Sequence, residues 1–345
     1  MGLLFCKVNG IELTEQENEL YDRQIRLWGL ESQKRLRTAK VLISGLNGLG
    51  AEITKNIILS GVHSVKLHDD KFVTEEDFCS QFLLPRSAIG TNRAKSSIDR
   101  AKKLNPMVEL SADTDPLEIK DAEYFEKFNV VVIIGAPNSE LLRIDGICRE
   151  KNVKFFASDV WGLFGFCFTD LQQHTFVEDT VKHKVISKPH ERTKTELVTS
   201  TVQRELKFPA YSVVLDVDIK SAEYQKKWKR TGPTLILLKI VQEFRKRFKR
   251  DPSHKSRDTD IFELEKIGKD LTNFVPSEYF VNVFSQISPA AAVVGGVVAQ
   301  EVIKVISKKE APHCNVFLFD PETCCGFVET IGFNNIIKLF NLPFL

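Results

Sequence analysis

The stretch Lys40–Asp70, KVLISGLNGLGAEITKNIILSGVHSVKLHDD, narrows the folds open to this chain more than any other part of it. It opens on an apolar run, Val41-Leu42-Ile43, of the kind used by a strand buried on both faces. A turn follows at Gly45, Gly48 and Gly50, and then a helix is expected from Ala51, with Ile53, Ile57 and Ile58 on one face. Gly61 ends that helix, and a second strand, Ser64–Leu67, leads into His68-Asp69-Asp70. An acidic residue about 20 positions past a glycine turn, in a strand–turn–helix–strand unit, is the order of a nucleotide-binding half. The glycines divide the work: one permits the tight turn, one lets backbone approach a phosphate, and one lets helix pack on strand. Free N–H groups at the helix start offer an anion site. The spacing is G-x-x-G-x-G, not G-x-G-x-x-G, so on this motif alone a plain turn and a nucleotide cradle weigh equally.

Further strands at Val108–Leu110, Val130–Ile134 and Lys154–Val160 alternate with helices at Asn92–Lys103 and Ser139–Lys151, which predicts a mainly parallel, doubly wound sheet. From Gly162 the period changes. Gly165–Thr169 and Glu196–Val202 read as antiparallel strands around a polar stretch, Lys182–Thr195. Helices follow at Thr234–Lys249, Asp260–Leu271 and Ser277–Gln286, with a mobile loop expected at Arg250–Thr259. Pro289 suits the first turn of a helix to Ser307, whose run Ala290–Ala299 lets another element approach closely, as core with part of a dimer seam. Strands at Asn315–Asp320 and Gly326–Thr330 precede an apolar tail, Ile336–Leu345. The reading is an α/β, Rossmann-like fold interrupted by a middle insertion. Residues 1–18 form an N-terminal segment, 19–161 the first part, 162–287 the insertion, and 288–345 the second part with the tail.

A net charge of +2 over 345 residues argues against a uniformly basic nucleic-acid binder. The longest apolar run, Ala290–Ala299, is too short to span a bilayer and is followed at once by Gln300 and Glu301. Seven scattered cysteines without a C-x-x-C pair fit a reducing compartment and core thiols, not zinc or a disulfide framework. Two helical pieces over residues 19–37, broken at Gly29, are expected to dock through Leu20, Leu27 and Trp28. On their own, Arg23 and Arg26 read as a solvated face. The basic runs Lys226–Arg230 and Arg245–Arg250 read the same way, the alternatives being a nuclear import signal or a docking surface for an acidic partner.

Several pieces together match one family: Tyr21-Asp22-Arg23-Gln24-Ile25-Arg26-Leu27-Trp28-Gly29, Gln81-Phe82-Leu83, Asn105-Pro106, and Ser288-Pro289 with the Gly295–Glu301 helix. The chain resembles the activating enzymes of ubiquitin-like proteins, and among them the smaller subunits of heterodimeric SUMO-activating enzymes. The resemblance runs from about Glu15 to Gly332. It implies an adenylation fold and a two-stage reaction: attack of a modifier's C-terminal carboxylate on the α-phosphate of magnesium–ATP, then transfer of the acyl group to a cysteine thiolate.

The first stage needs acidic metal ligands, a ribose partner and cations on the phosphates. Measured against the family pattern, this chain's pocket lacks them. Asp69 keeps the ribose position, but Lys71 stands where a second acid is expected, Ser80 where an arginine is, and Pro137 where a magnesium-holding aspartate is. Asn47 replaces a glycine of the turn, a residue that tolerates positive φ. Gly45, Gly48, Gly50 and Asp69 are therefore read as vestigial, and Asp69 as bonding its own loop. No cofactor or metal is expected in the chain's own pocket. None of the cysteines has the context of a thioester-forming residue.

The resemblance further implies that a larger subunit holds the ATP, the magnesium and the thioester cysteine. Arg23 would then reach the γ-phosphate in the partner's site, with Arg26 making partner or core contacts. It also implies a SUMO-like modifier as substrate of the pair, a nuclear site of action with the cytoplasm as a second one, and no nucleic-acid or membrane partner. A self-sufficient homodimeric adenylating enzyme and an NAD-dependent oxidoreductase are the alternatives. The second lacks any evident hydride-transfer constellation.

Overall fold

In the computed structural model, residues 13–185, 195–222, 224, 226, 232–272 and 275–333 are described. Cys6, most of the Lys226–Arg230 run, the centre of the Lys182–Thr195 stretch and the Ile336–Leu345 tail lie outside the described residues. Three short helices open the chain: α1 (Glu15–Leu20), α2 (Asp22–Trp28) and α3 (Leu30–Leu36). The break between α2 and α3 is at Gly29, at φ +90°. There follow β1 (Lys40–Ser44), α4 (Gly48–Leu59), β2 (Ser64–His68), α5 (Arg93–Lys102), β3 (Glu109–Asp113), α6 (Ala122–Phe125), β4 (Val130–Ile134), α7 (Asn138–Glu150) and β5 (Lys154–Trp161). This is the alternation that the apolar runs predict. Next come β6 (Phe164–Asp170), the hairpin β7 (Gln173–Val185) and β8 (Thr195–Lys207), then α8 (Ser212–Leu215), α9 (Thr234–Phe248) and α10 (Arg257–Leu271). The chain returns through α11 (Ser288–Ser307), β9 (Val316–Asp320) and β10 (Cys325–Glu329).

One eight-stranded sheet has the order β10-β9-β6-β5-β4-β1-β2-β3. Strands β3, β2, β1, β4 and β5 are parallel, whereas β6, β9 and β10 join antiparallel. Successive strand residues point to opposite faces, and two cores result. Leu42, Val131, Phe155, Phe166 and Leu318 meet α7, α9 and α10, while Ile43, Val132, Phe156, Cys167 and Phe317 meet α4, α5 and α11. In α4, Ile53, Ile57 and Ile58 are fully buried, a contribution of roughly 1.5–3 kcal/mol each.

The helix expected at Ala51 begins three residues earlier, because Asn47 caps it: its side chain accepts from Gly50 N at 3.0 Å. Residues 164–170 are not part of an insertion. They form a strand of the main sheet, every residue buried, because β5 and β9 pair with both edges of β6 and helices cover both faces. The antiparallel strands run further into the Lys182–Thr195 stretch than its polarity suggests. Of the stretch Arg250–Thr259, residues 257–259 already belong to α10 and the rest is a bonded turn: Arg250 makes two bonds to Asp260, which also accepts from Ser253 N and Ser256 Oγ. Ser277–Asn282 is a 3-10 turn, not an α-helix.

Helix α11 is 20 residues, longer than its apolar run, and by length and composition it is apolar enough to cross a membrane. Here it packs as a core helix against α4, where a Cβ on Gly295 would lie 2.6 Å from Glu52 Cβ. Its Glu301 is buried and bonded to His313 N and Lys304 Nζ.

Candidate functional site

The strand order reverses between β1 and β4, and loops at the C-terminal ends of β1, β2, β4 and β5 enclose a cavity of about 280 Å³ there. Clefts at such switch points are where open α/β sheets take ligands. Of the residues expected to be vestigial, Gly45, Gly48 and Asp69 line it, with Lys71, Ser80 and Pro137, whereas Gly50 does not.

Gly45 carries the strain of the turn at φ +100°. Asn47 does not: its φ is −76°, so it serves as a helix cap and not as a left-handed turn residue. A Cβ on Gly48 would overlap Ser80 Oγ, and one on Gly50 would overlap the Gly45 carbonyl. The backbone approach made possible by Gly48 is thus used by the protein's own Ser80. Two of the N–H groups expected to be free at the helix start, those of Leu49 and Gly50, are engaged. Leu49 N donates to Gln286 Oε1 at 3.3 Å and Gly50 N to Asn47 Oδ1.

Asp69 is buried and bonds its own loops. Its Oδ2 accepts from Leu46 N at 2.7 Å and its Oδ1 from Lys71 N at 2.9 Å. Gln81 holds the other side of the turn, donating to Leu46 O at 2.8 Å. Arg93, at the start of α5, pairs with Asp77 at 2.9 Å and stands 3.8 Å from Asp69.

Sequence reasoning missed the centre of the cavity. Asp159, at the end of β5, is buried and accepts from Val160 N and Trp161 Nε1, and Arg245 Nη2 of α9 pairs with it at 2.7 Å. Burial pushes the Asp159 carboxyl up, with Arg245 opposing. Arg245 also pairs with Asp251, and these two carboxylates outweigh burial and hold its guanidinium charged. An acid closing an apolar strand was the one available signal. Arg245 lay inside a basic run and Gln286 inside a predicted helix, so neither was marked. Gln242 of α9 completes the closure, accepting from Asn138 N and donating to Ala136 O beside Pro137.

These donors do not fit a magnesium–nucleotide. Asp69 and the amides of Leu49 and Gly50 are bonded internally, the loop after β4 offers proline, and the buried Asp159 carboxylate already has a cation. Among the described residues, no group of three or more His, Cys, Asp or Glu side chains is arranged to hold a metal.

The opening helices present the reverse situation. Arg23 on α2 is exposed and, among the described residues, has no ion pair or hydrogen bond. Arg26 pairs with Asp22 at 3.0 Å on the surface. Leu20 and Leu27, expected to dock, are 56% and 72% exposed. The chain bends at Tyr21 between α1 and α2, and that turns Tyr21, not the leucines, into the core at 1% exposure. Trp28 does dock in part, donating from Nε1 to Gln33.

The cysteines divide. Cys148 and Cys167 are buried with thiols pushed up by burial, and burial raises Cys314 to about 12. Cys79, Cys324 and Cys325 are exposed on loops and a hairpin, which corrects the expectation of core thiols.

Residues 21–327 match the ThiF family. The chain is 38% identical over 339 residues to SUMO-activating enzyme subunit 1 of Xenopus tropicalis, covering 93% of this chain and 97% of that protein. It is 38% identical over 334 residues to the Homo sapiens protein of that name, covering 93% and 96%, and 39% identical over 334 residues to that of Danio rerio, covering 92% and 95%. Among solved structures, E. coli MccB with ATP aligns at a TM-score of 0.55 over 93% of this chain and 74% of that one. At 14% identity this similarity speaks to the fold alone.

Proposed function

The chain belongs to the ThiF family, and from that premise we propose that it is the smaller, non-catalytic subunit of a heterodimeric enzyme that activates a SUMO-like modifier. The observation that carries this reading is a contrast between two sites. In the chain's own cleft, Asp69 and the amides of Leu49 and Gly50 are bonded internally, while on α2 the Arg23 guanidinium is exposed and has no partner among the described residues. A cleft whose polar groups are already paired has few left for a nucleotide, because displacing those bonds costs about 1–3 kcal/mol each.

In this reading ATP and magnesium are held by a larger partner, which also supplies the thioester cysteine. Arg23 contributes a cation to the phosphate end of the partner's site, where a planar guanidinium suits an oxyanion. The family's relatives carry subunit names, in keeping with a multi-subunit enzyme. A nuclear site of action is proposed with it.

The test is ATP–pyrophosphate exchange with modifier present, by this chain, by the larger subunit and by both together. Exchange by the pair and none by this chain alone is expected. Robust exchange by this chain alone would overturn the reading in favour of a self-sufficient homodimer.

A further inference from the structure

Helix α2 is seven residues long and buries none of them, yet it carries the exposed Arg23. A helix of that length has little stability of its own, and the exposed Asp22–Arg26 pair adds little to it. Its position therefore depends on a few contacts, and these converge on one place. Tyr21, Gln24 and Trp28 fall at helical spacing on one face, and all three lead to the C-terminal end of α4. The Tyr21 ring covers Gly61. Gln24 Nε2 donates to Leu59 O at 3.0 Å. Trp28 Nε1 donates at 3.0 Å to Gln33 Oε1, and Gln33 Nε2 in turn donates to Ser60 O at 3.0 Å.

Carbonyls at a helix C-terminus lack intrahelical partners, so capping accounts for Asn105 and Gln33, both buried and bonded to Ile58 O and Ser60 O. It does not account for Gln24. Leu59 is 42% exposed and its bond to Gln24 lies at the surface, where water would serve the carbonyl as well. What the bond does supply is a fixed rotation of α2 about its own axis. Successive helix residues lie about 100° apart, so a Gln24 held against α4 keeps Arg23 turned outward. Among the described residues, it is the one side-chain hydrogen bond from α2 to an element beyond the opening helices.

We propose that Gln24 is a positioning residue for adenylation: its bond to Leu59 O sets the direction in which Arg23 enters the partner's site. This rests on the role of Arg23 proposed above, and adds that the guanidinium is aimed before the phosphates arrive. An Arg23 on a helix free to swing would lose part of its effect, since a misplacement of about 1 Å costs up to about a hundredfold in rate.

The test is pyrophosphate exchange by the reconstituted heterodimer carrying Gln24→Met, a neutral side chain of similar length without the donor, alone and combined with Arg23→Ala. Expected are intact assembly, an unchanged melting temperature and a rate at saturating substrates lower by about threefold or more, with the KM for the modifier within about twofold of wild type. In the Arg23→Ala background, Gln24→Met should change the rate by less than about 1.5-fold, since its route to the chemistry is gone. An unchanged rate with Gln24→Met, an equal loss with and without Arg23, or loss of the heterodimer overturns the proposal. Arg23→Ala without effect removes the reading on which it rests, and the proposal with it.

Discussion

The hydroxyl of Tyr21 accepts a hydrogen bond from Asn105 Nδ2 at 2.9 Å, which joins two segments that the sequence holds 84 positions apart. Asn105 also donates to Ile58 O at the end of α4, and the Tyr21 ring lies across Gly61, where a Cβ would come within 2.5 Å of it. The helices that carry Arg23 are therefore anchored to the sheet domain by the buried Tyr21 and the space left by Gly61, together with Gln24 of α2, which donates to Leu59 O at 3.0 Å.

Replacing Tyr21 with phenylalanine removes the hydroxyl but leaves Asn105 its bond to Ile58. A loss of about 1 kcal/mol is expected. Tyr21→Ala empties the site and should cost about 3–5 kcal/mol. Urea unfolding of both variants checks the two magnitudes and their order.

Arg23→Ala should leave the fold and the heterodimer intact, since the side chain is exposed and makes no bond among the described residues. Adenylation by the reconstituted pair should fall at least tenfold, about 1.4 kcal/mol of lost transition-state stabilisation. Pyrophosphate exchange measures the rate and gel filtration the assembly. Full activity with intact assembly would remove Arg23 from the chemistry.

Asp145 on α7 is 2% exposed, accepts from Tyr211 N at 2.8 Å and neighbours the buried Asp170, which Arg149 neutralises. Burial, helped by the Asp170 charge, pushes its carboxyl up to about 7. An unfolded aspartate titrates near about 3.9, so between the two values the native state holds a proton the unfolded chain has released. Stability should therefore fall as pH rises from about 4 to 7 and level off above, by roughly 2–4 kcal/mol. Asp145→Asn keeps an acceptor for Tyr211 and carries no charge, so its stability should exceed wild type at pH 8 and lose this component of the slope. Denaturant melts across pH compare them.

Gly295 and Gly296 sit side by side in α11 and should respond oppositely to alanine. A Cβ at Gly295 meets Glu52 Cβ at 2.6 Å and must force α4 and α11 apart, at a cost of about 1–3 kcal/mol. At Gly296 nothing lies within 4 Å, so alanine should stabilise by about 0.4–1 kcal/mol through the unfolded state. Thermal melts of the two variants check the signs. A drop in heterodimer yield with Gly296→Ala alone would put that face in the seam.

Much of this architecture was legible because it is local. The runs at Val41–Ile43 and Val130–Ile134 are apolar at every position, as strands covered on both faces require, and they became neighbouring strands. The placement of residues 164–170 failed because a sheet strand and an insertion strand have the same alternation. Only pairing with β5 and β9 tells them apart. Leu20 and Leu27 failed for a similar reason, since periodicity gives a helix face but not whether anything covers it.

The sequence by itself determined the strand–turn–helix unit, the family it resembles, and the charges missing at Lys71, Ser80 and Pro137, because these depend on residue type at a fixed spacing. Only the tertiary structure decided whether the cleft's remaining polar groups are free. Leu49 N is bonded by Gln286, 237 positions away, and Asp159 by an arginine from another helix. A buried donor or acceptor must be paired, yet which group pairs it is settled by packing, and contacts between such distant segments leave no periodic trace in the chain.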